Sequence, residues 1–84
     1  MAYDPSKDQT LQTWENEETG LMISINRYGA GEPKLQIGPR TFVKRDGTKS
    51  TVKAGRLGID DVNWLDGIIE EIKEKMNQFY LEGD

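Results

Sequence analysis

The 84-residue chain contains no cysteine and no histidine. Without cysteine it can form neither a disulfide bond nor a catalytic thiolate. Without histidine it lacks the usual general base of enzymes and the commonest zinc ligand. No activated nucleophile or convergent pair of acids is visible either, so we predict no enzymatic activity, no bound metal and no cofactor.

The chain also lacks an N-terminal signal segment and an apolar run long enough to cross a membrane. We therefore expect a soluble, intracellular protein, located in the cytoplasm and nucleoid or in the nucleus. Its length suits one small domain, whose core alone supplies only a few kcal/mol of net stability. Since no disulfide is available, oligomerisation is the expected additional source of stability.

The net charge of −4 hides an uneven distribution of charge along the chain. Residues 27–56 hold eight cations and two anions, a net charge of +6, whereas residues 57–84 hold two cations and eight anions, a net charge of −6. Residues 1–26 are also acidic, with one cation and five anions. A basic central segment in an acidic chain favours a polyanionic partner, although solvated lysines on strands are an alternative explanation.

Two strands are predicted in the N-terminal half of the chain. Residues 10–18 alternate weakly between apolar and polar side chains, and Thr19-Gly20 then turns the chain. Residues 21–28 alternate cleanly. Leucine and isoleucine lie on one face of this second strand, and polar side chains lie on the other face together with Tyr28.

The third and fourth strands are predicted to form a hairpin. The third begins at Lys34 and is interrupted or bent at Gly38-Pro39, because proline cannot donate to a sheet ladder. Asp46-Gly47 is typical of a tight hairpin turn, since the turn requires positive φ angles. The fourth strand is predicted to cover residues 51–59.

From Asp60 onward the period of the apolar residues becomes helical. Asp60 or Asp61 suits the N-cap of this helix, which is predicted to end near Leu81. Gly67 is either a tolerated imperfection or a point of close approach to another backbone. The predicted dimer or core residues of the helix are Trp64, Leu65, Ile68, Ile69, Ile72 and Met76, and Phe79 continues the apolar stripe.

These elements predict an α+β fold of the type ββββα, with a four-stranded antiparallel sheet and one C-terminal helix. The domain is expected to cover residues 10–82, after a mobile tail of residues 1–9. Four strands spaced about 4.8 Å apart make a sheet roughly 19 Å wide, which a helix about 10 Å across cannot cover. The uncovered apolar surface predicts a homodimer in which two chains complete one core.

The segment Lys53-Ala54-Gly55-Arg56-Leu57-Gly58-Ile59, followed by a helix that opens with Trp64, resembles a segment of a known family. That family is the single-stranded DNA-binding domain of transcriptional positive cofactor four, whose segment reads Lys-Pro-Gly-Arg-Lys-Gly-Ile. Residues 23–28 resemble the family's strand that ends in an aromatic residue, and residues 32–37 resemble the next strand in bacterial and phage-type members. The similarity covers roughly residues 21–76. Taken alone, the two glycines would indicate only a bulged strand.

The resemblance implies a homodimer of curved antiparallel sheets, with paired helices behind them and single-stranded DNA across the concave sheet faces. In the resemblance, Tyr28 stands at the family's base-stacking aromatic position, and Lys34, Lys53 and Arg56 match its basic backbone contacts. Arg40 and Phe42 match across the irregularity at Gly38-Pro39, and we place both on the polar face of the sheet. Leu57 stands where the family has a lysine, which removes one phosphate contact. The predicted nucleic-acid-binding residues are Arg27, Tyr28, Lys34, Arg40, Phe42, Lys44, Lys53 and Arg56.

The favoured hypothesis is non-catalytic, largely sequence-independent binding of single-stranded DNA in transcription, replication, recombination or repair. RNA and unwound duplex stay open as ligands, transcription or replication proteins stay open as further partners, and no membrane association is expected. The alternative hypothesis is a protein-interaction module whose acidic helix or sheet edge binds a partner. For Tyr28 and Phe42 the alternative is a position in the core or at a sheet edge.

Overall fold

The computed structural model describes residues 4–82. Four strands form one antiparallel sheet in the order β1-β2-β3-β4, and a single helix follows, which confirms the predicted α+β fold. No helix within the described range is long and apolar enough to cross a membrane. The bounds are Asp8–Glu15 for β1, Leu21–Tyr28 for β2, Lys34–Val43 for β3, Lys49–Val52 for β4 and Ile59–Glu82 for α1, with a 3-10 turn at Pro5–Lys7.

The second strand has the predicted bounds, whereas the first and fourth strands differ from the prediction. Strand β1 begins at Asp8, so the predicted start of the domain at residue 10 falls inside a strand. Residues 1–3 of the predicted tail lie outside the described part of the chain. Strand β4 ends at Val52 instead of residue 59, and Gly55 turns the following segment with a φ of 64°. Most of the glycine-containing segment is therefore irregular, not strand.

Helix α1 begins at Ile59, one residue earlier than Asp60. Asp60 and Asp61 consequently lie in its first turn and not at its N-cap, where their negative charges still suit the positive end of the helix dipole. A Cβ atom placed on Gly67 would meet no other atom within 4 Å. Within the described chain, Gly67 is therefore a tolerated imperfection of the helix.

The start of α1 is bound to the sheet through the buried carboxylate of Asp61. Arg40 Nη2 donates to Asp61 Oδ2 at 2.7 Å and forms an ion pair with it. Asp61 Oδ1 accepts hydrogen bonds from the hydroxyl of Thr19 and, at 3.3 Å, from the amide of Asn16. These contacts connect the first turn of the helix to β3 and to the turn between β1 and β2.

The other end of α1 is bound by Arg27. One guanidinium nitrogen donates to the carbonyl of Phe79, which belongs to the last four carbonyls of the helix and has no partner within it. The Nε of Arg27 donates to the carbonyl of Gly31 at 3.2 Å. Between the two ends, Trp14 Nε1 donates to the carboxylate of Glu71 at 3.2 Å. The helix therefore contacts β1 through Trp14, β2 through Arg27 and β3 through Arg40.

The apolar core lies between β2 and α1. Leu21, Ile23 and Ile25 of β2 and Ile72 of α1 are fully buried. Such a small core leaves little net stability for an isolated chain. The other predicted dimer or core residues of the helix, Trp64, Leu65, Ile68, Ile69 and Met76, are half-buried, as is Phe79.

A bulge in β3 changes which side chains face the helix. Ile37 pairs with Ile23 and Arg40 pairs with Leu21, so three steps along β3 match two steps along β2. The extra residue lies at Gly38-Pro39, where Gly38 has a φ of 108° and the peptide bond to proline is cis. Because side chains alternate between the two faces of a strand, one extra residue reverses the alternation in the second half of β3.

The contacts of Asp61 predict a pH-dependent contribution to stability. Burial raises the pKa of Asp61, but hydrogen bonds from Arg40 and Thr19 and the charge of Arg40 together hold this pKa below its ordinary value. A lowered pKa stabilises the fold above the unfolded-state pKa, and this stabilisation is lost as pH falls through the folded-state pKa. We expect Asp61→Ala to lower the free energy of unfolding by about 2 kcal/mol at neutral pH, measured by urea unfolding.

The matched control is Asp60→Ala, since Asp60 is the exposed neighbour in the same helical turn. This control is expected to cost less than about 1 kcal/mol, because it removes only a favourable interaction with the helix dipole. The difference between the two variants is expected to shrink below about pH 4. Equal stability of the two variants at neutral pH would show that the buried carboxylate does not stabilise the helix start.

Candidate nucleic-acid interface

The face of the sheet opposite α1 carries no helix in the described chain, and we call it the open face. It holds a polar hydrogen-bonded row across β1 and β2. The hydroxyl of Thr10 donates to Asn26 Oδ1 at 2.8 Å, and Asn26 Nδ2 donates to Ser24 Oγ at 2.9 Å. The strand register assigns to the open face Asp8, Thr10, Thr13, Glu15, Met22, Ser24, Asn26, Tyr28, Lys34, Gln36, Thr41, Val43, Lys49 and Thr51.

Charge on the open face is divided between its two sides. Asp8 and Glu15 lie on β1, whereas Lys34 and Lys49 lie on β3 and β4. The turn between β3 and β4 and the segment after β4 add further cations beside the lysines. We call the resulting group of exposed side chains the basic edge: Lys34, Lys44, Arg45, Lys49, Lys53 and Arg56.

Tyr28 lies at the end of β2 on the open face, where 42% of its surface is exposed. Its hydroxyl accepts a hydrogen bond from the backbone N–H of Asp4 at 2.9 Å. Asp8 is its partner on β1. The exposure excludes a core position for Tyr28, and the hydroxyl contact orients an aromatic ring that a ligand can reach.

Three predicted nucleic-acid-binding residues lie on the helix side of the sheet instead. The guanidinium groups of Arg27 and Arg40 bind the two ends of α1, so their assignment to a nucleic-acid surface is corrected. Phe42 shares the face of Arg40, because the bulge at Gly38-Pro39 reverses the alternation. Placing Arg40 and Phe42 on the open face was wrong for this reason. The other five predicted residues, Tyr28, Lys34, Lys44, Lys53 and Arg56, are exposed on or beside the open face.

The prediction omitted two cations of the basic edge, Arg45 and Lys49. Arg45 belongs to the hairpin turn, and Lys49 pairs with Val43 in the ladder of β3 and β4. The signal that could have identified Lys49 is the Asp46-Gly47 turn, since a tight turn fixes the register of the strands it joins.

A groove of about 680 Å³ runs beside the first half of β3. Strand β4 pairs only with residues 40–43, so the outer edge of residues 34–37 has no strand neighbour in the described chain. The segment of residues 53–57 forms one wall of this groove. The groove is lined by Gln36, Ile37, Gly38, Pro39, Lys53, Ala54, Gly55 and Leu57.

A smaller concavity of about 340 Å³ lies beside Tyr28. It combines an aromatic ring with side chains of both charges, and its volume is at the lower end of pockets that hold small ligands. Its lining residues are Asp8, Asn26, Tyr28, Gly31, Glu32 and Lys34.

A scan against protein-family models, a search of curated proteins and a search of solved structures each found no match to this chain. The fold and surface define a small ββββα domain with one sheet face uncovered and partly basic. A functional interpretation therefore depends on the residues, their geometry and their charges, together with the resemblance noted in the sequence.

Proposed function

We propose that this protein binds single-stranded DNA on its open face, without catalysis and largely independently of sequence, in transcription, replication, recombination or repair. The observation that carries the proposal is an accessible aromatic ring, Tyr28, on an uncovered sheet face flanked by the basic edge. Unpaired bases expose π-faces, and stacking on an aromatic side chain contributes about 1–3 kcal/mol per base. The cations neutralise phosphates and release counterions, so affinity falls as salt rises.

The position of α1 supports the same proposal. Its exposed acids, such as Glu70 and Glu74, belong to the layer behind the sheet, so they are separated from a polyanion on the open face. Duplex DNA keeps its bases stacked inside the helix and cannot use Tyr28 in this way. The arrangement therefore favours the single strand over the duplex.

The first test is fluorescence anisotropy with a labelled oligo-dT of about 20 nucleotides and a duplex of equal length, each at two salt concentrations. We expect the single strand to bind more tightly than the duplex and to lose affinity at the higher salt concentration. Absence of binding at low salt, or equal affinity for the two ligands, would contradict the proposal.

Stacking is tested at Tyr28 with a control tyrosine on α1. Tyr28→Ala is expected to weaken oligo-dT binding about tenfold, whereas Tyr28→Phe retains the ring and most of the affinity. The control is Tyr80→Ala, because Tyr80 is an exposed tyrosine on α1, at 55% exposure against 42% for Tyr28. A similar loss in both alanine variants would indicate that Tyr28 does not stack on a base.

Phosphate contact is tested by the salt dependence of affinity. Lys49→Gln, which removes an exposed cation of β4 on the open face, is expected to reduce the slope of log affinity against log salt by about 0.7, the value for one contact to a single strand. Lys73→Gln is the control, because Lys73 is 63% exposed on α1. This substitution also removes one positive charge, but from the helix and not from the open face. An unchanged slope for Lys49→Gln would remove this lysine from the interface.

We further propose that the protein acts as a homodimer through an apolar surface on the helix side of the sheet. Helix α1 contacts β3 through Arg40, but other side chains on the helix side of β3 and β4 are left partly uncovered. Ile37, Phe42 and Val52, which we call the apolar flank, are 46%, 41% and 49% exposed. Helix α1 adds the exposed side chains of Ile59 and Val62, so a second copy could bury apolar surface from both elements.

A matched pair of valines tests the dimer. Val52 lies on the helix side of β4, and Val43 lies on the open face of β3, where it is 64% exposed. Val52→Glu is expected to reduce the mass measured by light scattering from twice 9.6 kDa to 9.6 kDa. Val43→Glu is expected to keep the dimer mass and to weaken oligonucleotide binding through its added negative charge.

Two outcomes would contradict the dimer proposal. One is a wild-type mass of 9.6 kDa at all concentrations up to about 100 times those used for binding. The other is dissociation by Val43→Glu but not by Val52→Glu, since this would place the interface on the open face.

The second candidate function is docking of a protein partner, and the unpaired outer edge of residues 34–37 favours it. An extended peptide can add a strand to such an edge, with its side chains entering the adjacent groove. A pull-down that survives nuclease treatment, combined with failure of the purified protein to bind oligonucleotides, would favour this function. The two functions overlap at Lys53, which belongs to the basic edge and also lines this groove, so a bound peptide is expected to compete with an oligonucleotide there.

A further inference from the structure

We propose that the concavity beside Tyr28 is a base pocket that prefers guanine to the other bases of a single strand. This inference rests on the proposed binding of single-stranded DNA and adds a base preference at one position. Tyr28, Glu32 and Lys34 line this concavity together, so residues that carry an aromatic ring, a carboxylate and an ammonium group border one volume of about 340 Å³.

The charges of this pocket differ from those of the basic edge. The pocket contains two carboxylates, from Asp8 and Glu32, and one ammonium group, from Lys34. A phosphate is disfavoured beside two carboxylates, whereas a neutral base that donates hydrogen bonds is favoured. A base is therefore the part of the strand that enters, and the phosphates follow the cations outside.

The hydrogen-bond acceptors and donors of the charged side chains in this pocket lie on different residues. Glu32 presents only acceptors in its ionised form, and Lys34 presents only donors. Asn26 is held in one orientation, because its amide accepts from Thr10 and donates to Ser24. Glu32 precedes the buried Pro33, which restricts the backbone that carries the carboxylate.

Guanine is the base whose hydrogen-bonding edge matches acceptors on Glu32 and donors on Lys34. Its N1–H and N2 amino group are two adjacent donors that suit both oxygens of the Glu32 carboxylate. Its O6, next to N1, is an acceptor that suits the ammonium group of Lys34. Adenine and cytosine each place a ring acceptor beside the amino group, and thymine places one N–H between two carbonyls, so none of these bases offers two adjacent donors. Stacking on Tyr28 does not distinguish guanine from adenine, since both are purines.

The experiment compares oligo-dT strands of about 20 nucleotides that carry guanine, adenine or hypoxanthine at every fourth position. We expect the guanine strand to bind the 84-residue protein about fivefold to tenfold more tightly than the adenine strand. Hypoxanthine retains N1–H and O6 but lacks the 2-amino group, so its strand is expected to bind more weakly than the guanine strand. The measured quantity is the ratio of affinities at one salt concentration.

Glu32→Gln is the test variant, because Glu32 is exposed and the substitution retains its size. It is expected to reduce the guanine-to-adenine ratio to about one, since the amide replaces one of the two acceptor oxygens by a donor. Glu74→Gln is the control, because it removes the same charge from an exposed position on α1. This control is expected to keep the wild-type ratio, which separates a specific contact from a general change in charge.

Two results would overturn the guanine preference while leaving the proposed function intact. One is equal affinity of the wild-type protein for the guanine and adenine strands when oligo-dT itself is bound. The other is a guanine preference that Glu32→Gln does not change. Absence of binding to every strand, including oligo-dT, would overturn both the preference and the proposed function.

Discussion

The ion pair between Arg40 and Asp61 is the contact on which the arrangement of the molecule depends. It joins the first turn of α1 to β3, and Arg27 joins the last turn to the end of β2. A single helix held at both ends in this way leaves two surfaces uncovered. One is the polar open face, and the other is the apolar flank. Both proposals, nucleic-acid binding and dimerisation, follow from these two surfaces.

The charge of the protein makes the distribution of cations more important than their number. The chain has a net charge of −4, so a dimer would carry −8. Overall attraction therefore cannot bring a polyanion to this protein, and the proposed binding depends on the cations of the basic edge. At physiological ionic strength, charges are screened beyond about 8 Å, so the basic edge can act locally while the acids of α1 remain behind the sheet.

Most of the fold was predictable from the sequence, because the alternation in β2 and the helical stripe of α1 are strong patterns. The faces of Arg40 and Phe42 were not predictable. Proline in Gly38-Pro39 indicates an irregular strand, but only the register shows that one extra residue is inserted. Arg27 carried a usable signal, since it continues the alternation of the buried residues of β2 and so belongs to the helix side.

The candidate site was predictable where it depended on local pattern and unpredictable where it depended on tertiary packing. Tyr28 and Lys34 were identified because alternation assigns them to the polar face of their strands. The pocket that also includes Asp8 and Glu32 brings together β1, β2 and the connection before β3. No sequence pattern links these positions, because their proximity arises from strand order and register.

The most direct measurement is a nuclear magnetic resonance titration of ¹⁵N-labelled protein with oligo-dT, which reports each backbone amide separately. The central claim is that the open face binds the single strand. This claim predicts the largest changes in amide chemical shift at open-face residues such as Asn26, Lys34 and Thr51. It predicts small changes at Glu70 and Glu74, which are exposed on α1. Large shifts confined to α1, with the open face unchanged, would contradict the claim.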